Sequence, residues 1–368
     1  MTDLAGSWQR VKPLLLLAAT ATANVPGISA AGATPESRRL TAAADAELLL
    51  LGPGSHRPHA LPPLPAGVSP ALISHAGLLE LGLLQRTLVV DLGCAVAPAV
   101  PHLRLPAGET AGPAACVSSG AALAPTRVKA LLARGRHWGR RWPRGQPLLL
   151  AECVPGGTTT ALAVLQGLGI AANGLVSGSL RQPAHGLKAS LTAQGLQAAG
   201  LGVDGAGPGG APAVLAAVGD PMQALAAGLV LELAARGEPV LLAGGSQMAA
   251  VLALALAMAA PAQRPVIAAA AQVATTAWVA AEPGSDLPRL LQLVGERWDV
   301  ALGLRAARLR FDRCHSAGLR DYERGYVKEG VGAGGVAVLW ELSGRAPAAL
   351  AAACDRACAL LNHQRPPA

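Results

Sequence analysis

The stretch AECVPGGTTT, residues 151–160, sets one acid, two glycines and three threonines directly after an apolar run. The apolar run predicts a buried strand, and the residues after PGG predict a helix. In such a strand–turn–helix unit, the N–H groups of the turn and the positive end of the helix dipole converge on one point, where an anion fits. The sequence therefore predicts a phosphate site formed by Pro155, Gly156, Gly157, Thr158 and Thr159.

Glu152 is the unusual member of this stretch, because a carboxylate beside a phosphate repels it. A carboxylate is expected there if it faces a ribose hydroxyl, which donates a hydrogen bond to it. We therefore predict a site for a ribose phosphate. The alternative is that Glu152 only accepts a hydrogen bond from a nearby backbone amide. The stretch lacks the lysine of an ATP-binding P-loop, and no G-x-G-x-x-G follows a strand.

Longer stretches resemble the nicotinate mononucleotide:5,6-dimethylbenzimidazole phosphoribosyltransferases of cobalamin lower-ligand synthesis. The similarity to a divergent branch of that family runs from Pro26 to Gly335, in PGISAAGATPESRRLTAAADAELL, LPPLPAGVSP, ECVPGGTTTALAVLQGLGI and YVKEGVGAGG. The better characterised branch is similar only after Leu148, in GLVSGSLRQPAHGLKASL, AGGSQMAAVLALALA and AQVATTAWVA. Because the N-terminal half does not align with that branch, the identity of the accepted base stays open.

The resemblance implies an enzyme that transfers ribose 5-phosphate from nicotinate mononucleotide to a nitrogen of an aromatic base, either 5,6-dimethylbenzimidazole or a related base or purine. Nicotinate leaves, an α-ribazole 5'-phosphate type of product forms, and no metal or cofactor is needed. Transferases that use a pyrophosphorylated ribose need magnesium and usually two adjacent acids, and this chain has no adjacent acids.

The resemblance also implies roles for single residues. Glu329, between glycine-rich flanks, matches the family's general base, which takes the proton of the attacking base. Lys188 matches a lysine that reaches the donor phosphate, where a flexible point charge suits the role. Together with Glu152 these are the candidate catalytic residues. Further substrate contacts are predicted at Ser177, Gly178, Ser179, Gly244, Gly245 and Gly330.

These assignments have simpler alternatives. Lys328 could pair with Glu329 and leave that loop with a structural role, in which case Glu323 is the next candidate base. Lys188 could be an ordinary solvent-exposed lysine. Gly244 and Gly245 could serve close packing alone.

Histidines offer no clear chemistry in this sequence. His185 could contact the substrate, but a lone histidine on a helix is more typical of a structural role. His56 and His59 lack a third ligand, so no metal site is predicted.

Two other classes of function compete with the enzyme. A non-catalytic nucleotide-binding or regulatory protein could keep the phosphate site without a working base pocket. The basic, tryptophan-containing run at residues 127–144 could bind single-stranded nucleic acid. Such a run is more typical of the solvated face of a helix, so no nucleic-acid partner is predicted.

The cysteine pattern and the doubtful secretory signal point to a cytoplasmic protein. The chain has 368 residues and is 52% hydrophobic, but only 2% aromatic. Its six cysteines show no C-x-x-C pair, which argues against zinc and against a disulfide framework. The opening VKPLLLLAATATA imitates a secretory signal, but a first buried strand is the favoured interpretation. The apolar stretch 239–281 is divided by Gly and Pro into pieces too short to span a membrane, so no membrane partner is expected.

The alternation of short apolar runs with longer helical stretches predicts an α/β fold with a doubly wound, mostly parallel sheet and flanking helices. Strands are predicted at TLVVDLG, PLLLAECV, PVLLAGG and RPVIAAAA. Residues 1–80 are predicted as a small irregular or helical N-terminal portion packed on a phosphoribosyltransferase core of residues 81–368. The glycine-rich stretch 198–220 is expected at the surface. The resemblance further suggests a homodimer.

Overall fold

A computed structural model describes residues 4–105, 111–202 and 209–363. Seven strands form one parallel sheet in the order β3-β2-β1-β4-β5-β6-β7. The strands are β1 (Lys12–Leu17), β2 (Leu88–Asp91), β3 (Leu103–Arg104), β4 (Leu148–Cys153), β5 (Val240–Ala243), β6 (Ala271–Thr275) and β7 (Gly303–Ala306). The predicted α/β class and parallel, doubly wound sheet are confirmed.

Helices cover both faces of the sheet. They are α1 (Pro35–Arg38), α2 (Thr41–Leu51), α3 (Ala71–Glu80), α4 (Pro125–Arg141), α5 (Gly157–Gly167), α6 (His185–Ala198), α7 (Gly210–Val218), α8 (Pro221–Ala234), α9 (Ser246–Met258), α10 (Arg264–Ala270), α11 (Ala277–Ala280), α12 (Leu287–Trp298), α13 (Ala317–Arg320), α14 (Ala333–Leu342) and α15 (Pro347–His363). One face carries α4 to α10 and α12, and the other carries α2, α3, α14 and α15.

The strands are continuous apolar runs because both of their faces are buried. In β1, Leu14 and Leu16 pack into the core under α4 to α10, whereas Leu15 and Leu17 pack into the core under α2, α3, α14 and α15. This division follows from the two-residue repeat of a strand, and burial on both faces is typical of parallel sheets. In the described ranges, every helix is too short or too polar to cross a membrane.

The strand order of the sheet reverses between β1 and β4. Strands added on one side of this pair lead to β3 and those on the other side to β7. In open parallel sheets, ligands bind outside the carboxyl ends of the strands at such a reversal. The loop that follows Glu152 begins at this point, because β4 ends at Cys153.

Two local predictions are wrong. RPVIAAAA is helical as α10, and the strand begins only at Ala271, because Pro265 occupies the first turn of a helix and the alanines after it favour that helix. Residues 210–218, expected at the surface, form α7, whose Val214, Leu215 and Val218 are fully buried. Residues 203–208 of that stretch lie outside the described residues.

Residues 1–80 contain β1 and the helices α1, α2 and α3. The favoured interpretation of VKPLLLLAATATA as a buried strand is confirmed, since β1 lies between β2 and β4 at the centre of the sheet. Two long stretches of this range, residues 18–34 and 52–70, lie outside the strand and the α-helices. The division of the chain at residue 80 stays a prediction.

Candidate functional site

A cavity opens at the carboxyl ends of β4 and β5, and most of the predicted site residues line it. These are Glu152, Pro155, Gly156, Gly157, Thr158, Ser177, Gly178, Ser179, Gly245, Glu329 and Gly330. Three predicted residues, Lys188, Thr159 and Gly244, are outside this lining. The loop before α5, the turn before α6, the start of α9 and the loop before α14 therefore meet at one place.

The turn between β4 and α5 requires both of its glycines. Gly156 has φ +82°, and a Cβ there would lie 2.9 Å from the backbone nitrogen of Ala23. A Cβ on Gly157 would lie 2.0 Å from Oε1 of Gln247. The absence of side chains thus lets this turn approach the loop after β1 and a side chain of α9.

Not every N–H of this turn is free to bind an anion. Pro155 has none, and the Gly157 and Thr159 N–H groups donate to the carbonyl oxygens of Val154 and Gly156, at 2.9 and 3.0 Å. The remaining candidate donors of the turn are the N–H groups of Gly156 and Thr158. They lie at the N-terminus of α5, where the helix dipole favours an anion.

The turn at residues 177–179 closes another side of the cavity. The N–H of Ser177 donates to Oγ of Ser246, the first residue of α9, at 3.0 Å. Oγ of Ser179 accepts a 2.8 Å hydrogen bond from the Ala30 N–H. The N-termini of α5 and α9 and this serine turn therefore surround the same space, which suits an oxyanion.

Glu152 is buried at the end of β4, and its Oε2 accepts a 3.0 Å hydrogen bond from the Val154 N–H. The backbone contact that we named as the simpler alternative is therefore present, and the Gln247 side chain is a second hydrogen-bonding partner of Glu152. Burial, followed by the negative charges of Asp220 and Glu329, raises the pKa of Glu152 to about 8. At neutral pH the free protein thus holds Glu152 mainly in its protonated form.

Glu329 is anchored by four hydrogen bonds. Oε2 accepts from Thr275 Oγ1 and from the Thr276 N–H, both at 2.9 Å. Oε1 accepts from the N–H groups of Gly330 and Gly334, at 3.2 and 2.9 Å. Burial raises the pKa of Glu329, and these hydrogen bonds oppose that rise because they favour the charged form.

The loop that carries Glu329 has a strained backbone. Val327, Lys328 and Val331 have φ values of 65°, 70° and 53°. Residues with a side chain rarely adopt this conformation, and each instance costs about 1–3 kcal/mol and persists only where the surroundings impose it. Here Val331 N–H donates to the Glu152 carbonyl oxygen at 3.0 Å, and Thr276 Oγ1 donates to the Lys328 carbonyl oxygen at 2.6 Å.

Two buried lysines lie behind the cavity wall. Lys328 Nζ pairs with Glu282 Oε1 at 2.8 Å and donates to the Leu180 carbonyl oxygen at 2.6 Å. The suggested pairing of Lys328 with Glu329 is therefore wrong. Lys188 Nζ donates to the Ser177 carbonyl oxygen at 2.5 Å.

Lys188 is 1% exposed, which contradicts its interpretation as a solvent lysine. Burial lowers the pKa of Lys188 to about 7, with Glu282 opposing and Lys328 adding to the shift. Its amino group supports the serine turn from behind.

Sequence reasoning missed the wall built from the N-terminal segments. Asp45 and Ser69 line the cavity beside Cys153, together with Leu61 and Tyr326. Asp45, one of two acids in the alanine-rich α2, gave no spacing signal, although the stretches around Asp45 and Ser69 did carry the family resemblance. Glu323, the next candidate base, does not line the cavity. Its carboxylate accepts a 2.7 Å hydrogen bond from the Phe311 N–H and pairs with Arg310 at 3.3 Å.

The histidines and the basic run occupy structural positions. His59 Nδ1 lies 2.6 Å from Glu47 Oε1, and His185 Nε2 lies 2.5 Å from the Gly284 carbonyl oxygen. In the described part of the chain, no group of three or more His, Cys, Asp or Glu residues is arranged to hold a metal ion. The basic run forms most of α4, which packs on α8 and pairs Arg136 and Arg140 with Glu232.

Relatives and solved structures resemble this chain over most of its length. A UPF0284 protein of Parasynechococcus marenigrum (strain WH8102) is 54% identical over 349 residues, which cover 94% of this chain and 86% of the relative. A UPF0284 protein of Prochlorococcus marinus (strain MIT 9313) is 50% identical, covering 94% and 85%. A third, from Gloeobacter violaceus, is 46% identical, covering 92% and 85%. No family model matches.

Among solved structures, the chain resembles nicotinate-nucleotide–dimethylbenzimidazole phosphoribosyltransferase of Thermus thermophilus. The TM-score is 0.56 at 20% identity, with 93% of this chain and 82% of that chain covered. A second structure, CobT of the same organism, gives a TM-score of 0.55 at 20% identity, covering 96% and 90%. At this level of identity the likeness shows a shared fold.

Proposed function

Because this chain belongs to the UPF0284 family and shares the fold of nicotinate-nucleotide–dimethylbenzimidazole phosphoribosyltransferases, we propose that it is a phosphoribosyltransferase of cobalamin lower-ligand synthesis. Its substrates are nicotinate mononucleotide and an aromatic nitrogen base, and its products are nicotinate and an α-ribazole 5'-phosphate type of nucleotide. The scattered cysteines of the sequence favour a cytoplasmic location, which we include in the proposal. The homodimer suggested by the resemblance stays a prediction.

The observation that carries this proposal is a pair of buried carboxyl groups at one cavity, Glu152 and Glu329, beside two helix N-termini. When two acids lie in different environments, one can hold a proton while the other is ionised and stabilises positive charge. Burial raises the pKa of both acids, to about 8 for Glu152, but the four donors around Glu329 oppose that rise and favour its carboxylate. The helix N-termini supply the site for the donor phosphate.

The transfer exchanges one bond at C1' of the ribose for another. The unprotonated ring nitrogen of the base attacks C1', and the bond from C1' to the nicotinate nitrogen breaks. The electron pair of that bond stays on nicotinate, whose ring thereby loses its positive charge. The second ring nitrogen of the base gives up its proton to a carboxylate, so the product is neutral in its base.

Glu329 is the proposed acceptor of that proton. Its four acceptor directions are all used, so Thr275 Oγ1 must turn away before Oε2 can receive an N–H from the base. Glu152 is the proposed ribose contact. The positive nicotinate ring of the bound donor would lower its pKa and return it to the carboxylate form that a ribose hydroxyl needs.

The experiment that tests this function measures nicotinate by chromatography after incubation with nicotinate mononucleotide and a panel of benzimidazoles and purines. The expected result is nicotinate release that depends on both the protein and the base. Saturable binding of the mononucleotide without nicotinate release from any base would favour a non-catalytic nucleotide-binding protein.

A further inference from the structure

The cavity has a second polar centre, which the transfer mechanism leaves unused. Asp45 of α2 lines the cavity and is 5% exposed. Its Oδ1 accepts a 2.6 Å hydrogen bond from Ser69 Oγ, and its Oδ2 lies 3.5 Å from Cys153 Sγ. Because a thiol is a weak donor, Oδ2 keeps most of its capacity to accept a hydrogen bond.

A neighbouring acid on the same helix shows what a purely structural carboxylate looks like in this protein. Glu47 lies outside the cavity lining and is fully buried. It accepts from His59 N–H at 2.9 Å, from Ala99 N–H at 2.9 Å and from the His59 ring at 2.6 Å. Among the described residues, the hydrogen-bonding partners of Asp45 are the Ser69 hydroxyl and the Cys153 thiol. Burial raises the pKa of Asp45 to about 6. Its environment is incomplete in the way expected when a ligand supplies the missing donor.

Asp45 lies on the side of the cavity away from the proposed phosphate site at the N-termini of α5 and α9. Glu152 and Cys153 are consecutive in β4, so their side chains point to opposite faces of the sheet. Glu152 faces the side of α5 and α9, whose N-termini form that site. Cys153 belongs to the core beneath α2 and α3. The same lining contains the apolar side chains Leu61, Pro62, Leu64 and Pro65, together with Thr41, whose hydroxyl donates to the Ala31 carbonyl oxygen. A partly apolar slot with few polar groups suits a flat aromatic ring.

We propose that Asp45, held in place by Ser69, selects the incoming base by accepting a hydrogen bond from an amino or hydroxyl group on the ring edge opposite the attacking nitrogen. This inference rests on the function proposed above and names the class of its second substrate. A base that carries only methyl groups on that edge would bury Oδ2 without a donor. Sites built to hydrogen-bond a substrate reject the analogue that lacks the donor by factors of about 10⁴ in strong cases.

The test compares kcat/KM for 5-aminobenzimidazole and 5-methylbenzimidazole, which differ by an amino group in place of a methyl group. We expect the wild-type protein to prefer the amino base by about tenfold or more. In the double variant Asp45→Leu/Ser69→Ala both hydrogen-bonding partners are replaced by apolar groups, an exchange that can be nearly neutral for stability. There we expect the preference to vanish or reverse, with KM for nicotinate mononucleotide unchanged.

Glu296→Gln serves as the matched control, because Glu296 is an exposed acid on α12. This variant should keep the wild-type preference for the amino base. If the double variant does not fold, Asp45→Ala takes its place, because it removes the carboxyl group without adding volume. The preference for the amino base should again vanish or reverse. A wild-type preference for the methyl base, or a preference for the amino base that survives the loss of Asp45, would overturn the inference.

A failure of the proposed function would be visible separately. If neither base releases nicotinate, the same two bases are titrated into the protein by calorimetry. Tighter binding of the amino base by the wild type, lost in the variant, still supports Asp45 as the selecting residue. Equal affinities of the wild type for both bases would contradict it.

Discussion

At the scale of single residues, the proton acceptor must be distinguished from the groups that anchor it. Glu329 and Thr275 share a 2.9 Å hydrogen bond, and the Thr276 N–H binds the same oxygen. A glutamine at 329 would have to turn its amide nitrogen toward one pair of these donors. Glu329→Gln therefore changes the anchoring of the loop as well as the chemistry, and it needs a partner variant.

We expect Glu329→Gln to lower kcat by roughly two or more orders of magnitude, the usual contribution of a positioned base. Thr275→Val removes only the hydroxyl donor, so the carboxylate stays, its pKa rises and its Oε2 is freer to accept the proton. The acid limb of the kcat profile should then move to higher pH while kcat falls far less than in Glu329→Gln. Near wild-type turnover in Glu329→Gln would remove Glu329 from the mechanism and turn attention to Glu152.

Glu152 makes stability depend on pH. Its pKa is about 8 in the folded protein, against an ordinary value of 4.5, so between these values the folded state holds a proton that the unfolded state has lost. The free energy of unfolding should therefore fall as pH rises, by up to about 1.4 kcal/mol per pH unit from this group. Urea unfolding at pH 6 and 7 should show a smaller fall in Glu152→Gln than in the wild type. An identical slope in both would mean that Glu152 is ionised in the folded protein. Glu296→Gln, which removes an exposed acid, should keep the wild-type slope.

At the scale of elements, the loop before α14 is held in its strained conformation from several sides. Gly334 is one reason that this is possible, because a Cβ there would lie 2.2 Å from the Thr275 carbonyl carbon and 2.4 Å from Glu329 Oε2. The start of α14 can thus pack directly on the end of β6 and bind the Glu329 carboxylate with its N–H group. Lys328 fixes the same loop through its ion pair with Glu282.

The charges behind the serine turn predict an order of stabilities. Glu282→Gln removes the anion that pairs with Lys328 and favours the protonated form of Lys188, and we expect it to cost about 3–5 kcal/mol of unfolding free energy. Lys328→Met leaves Lys188 beside Glu282, whose negative charge favours the protonated amine, so it should cost clearly less. Urea denaturation of both variants measures the difference, with the exposed Arg289→Gln as a control expected to change stability by about 0.5 kcal/mol or less. If Lys328→Met proves as costly as Glu282→Gln, charge balance does not govern this cluster.

At the scale of the whole molecule, the sequence was informative where one feature determines one element. The apolar runs before Gly and Pro located β1, β2, β4 and β5, because strands buried on both faces must be continuously apolar. The same logic failed at α10, where alanine and valine suit a helix as well as a strand. The glycine turn was located from its strand–turn–helix pattern, whereas Glu329 was singled out only through the family resemblance.

The side of the cavity that we propose for the base could not be predicted in this way. Asp45 and Ser69 come together with Cys153 only through tertiary packing of α2 against the sheet, and nothing in their spacing indicates the contact. The supporting role of Lys188 was likewise hidden, since a sequence shows a lysine but not the Ser177 carbonyl that its amino group binds.

The most direct test of the central claim is the product formed from nicotinate mononucleotide and a benzimidazole. Attack on C1' with inversion predicts equal amounts of nicotinate and of a benzimidazole nucleotide in the α configuration, which proton NMR of the purified product identifies. Neither should form when the base is omitted. Nicotinate released without a matching nucleotide, or a nucleotide in the β configuration, would contradict the account.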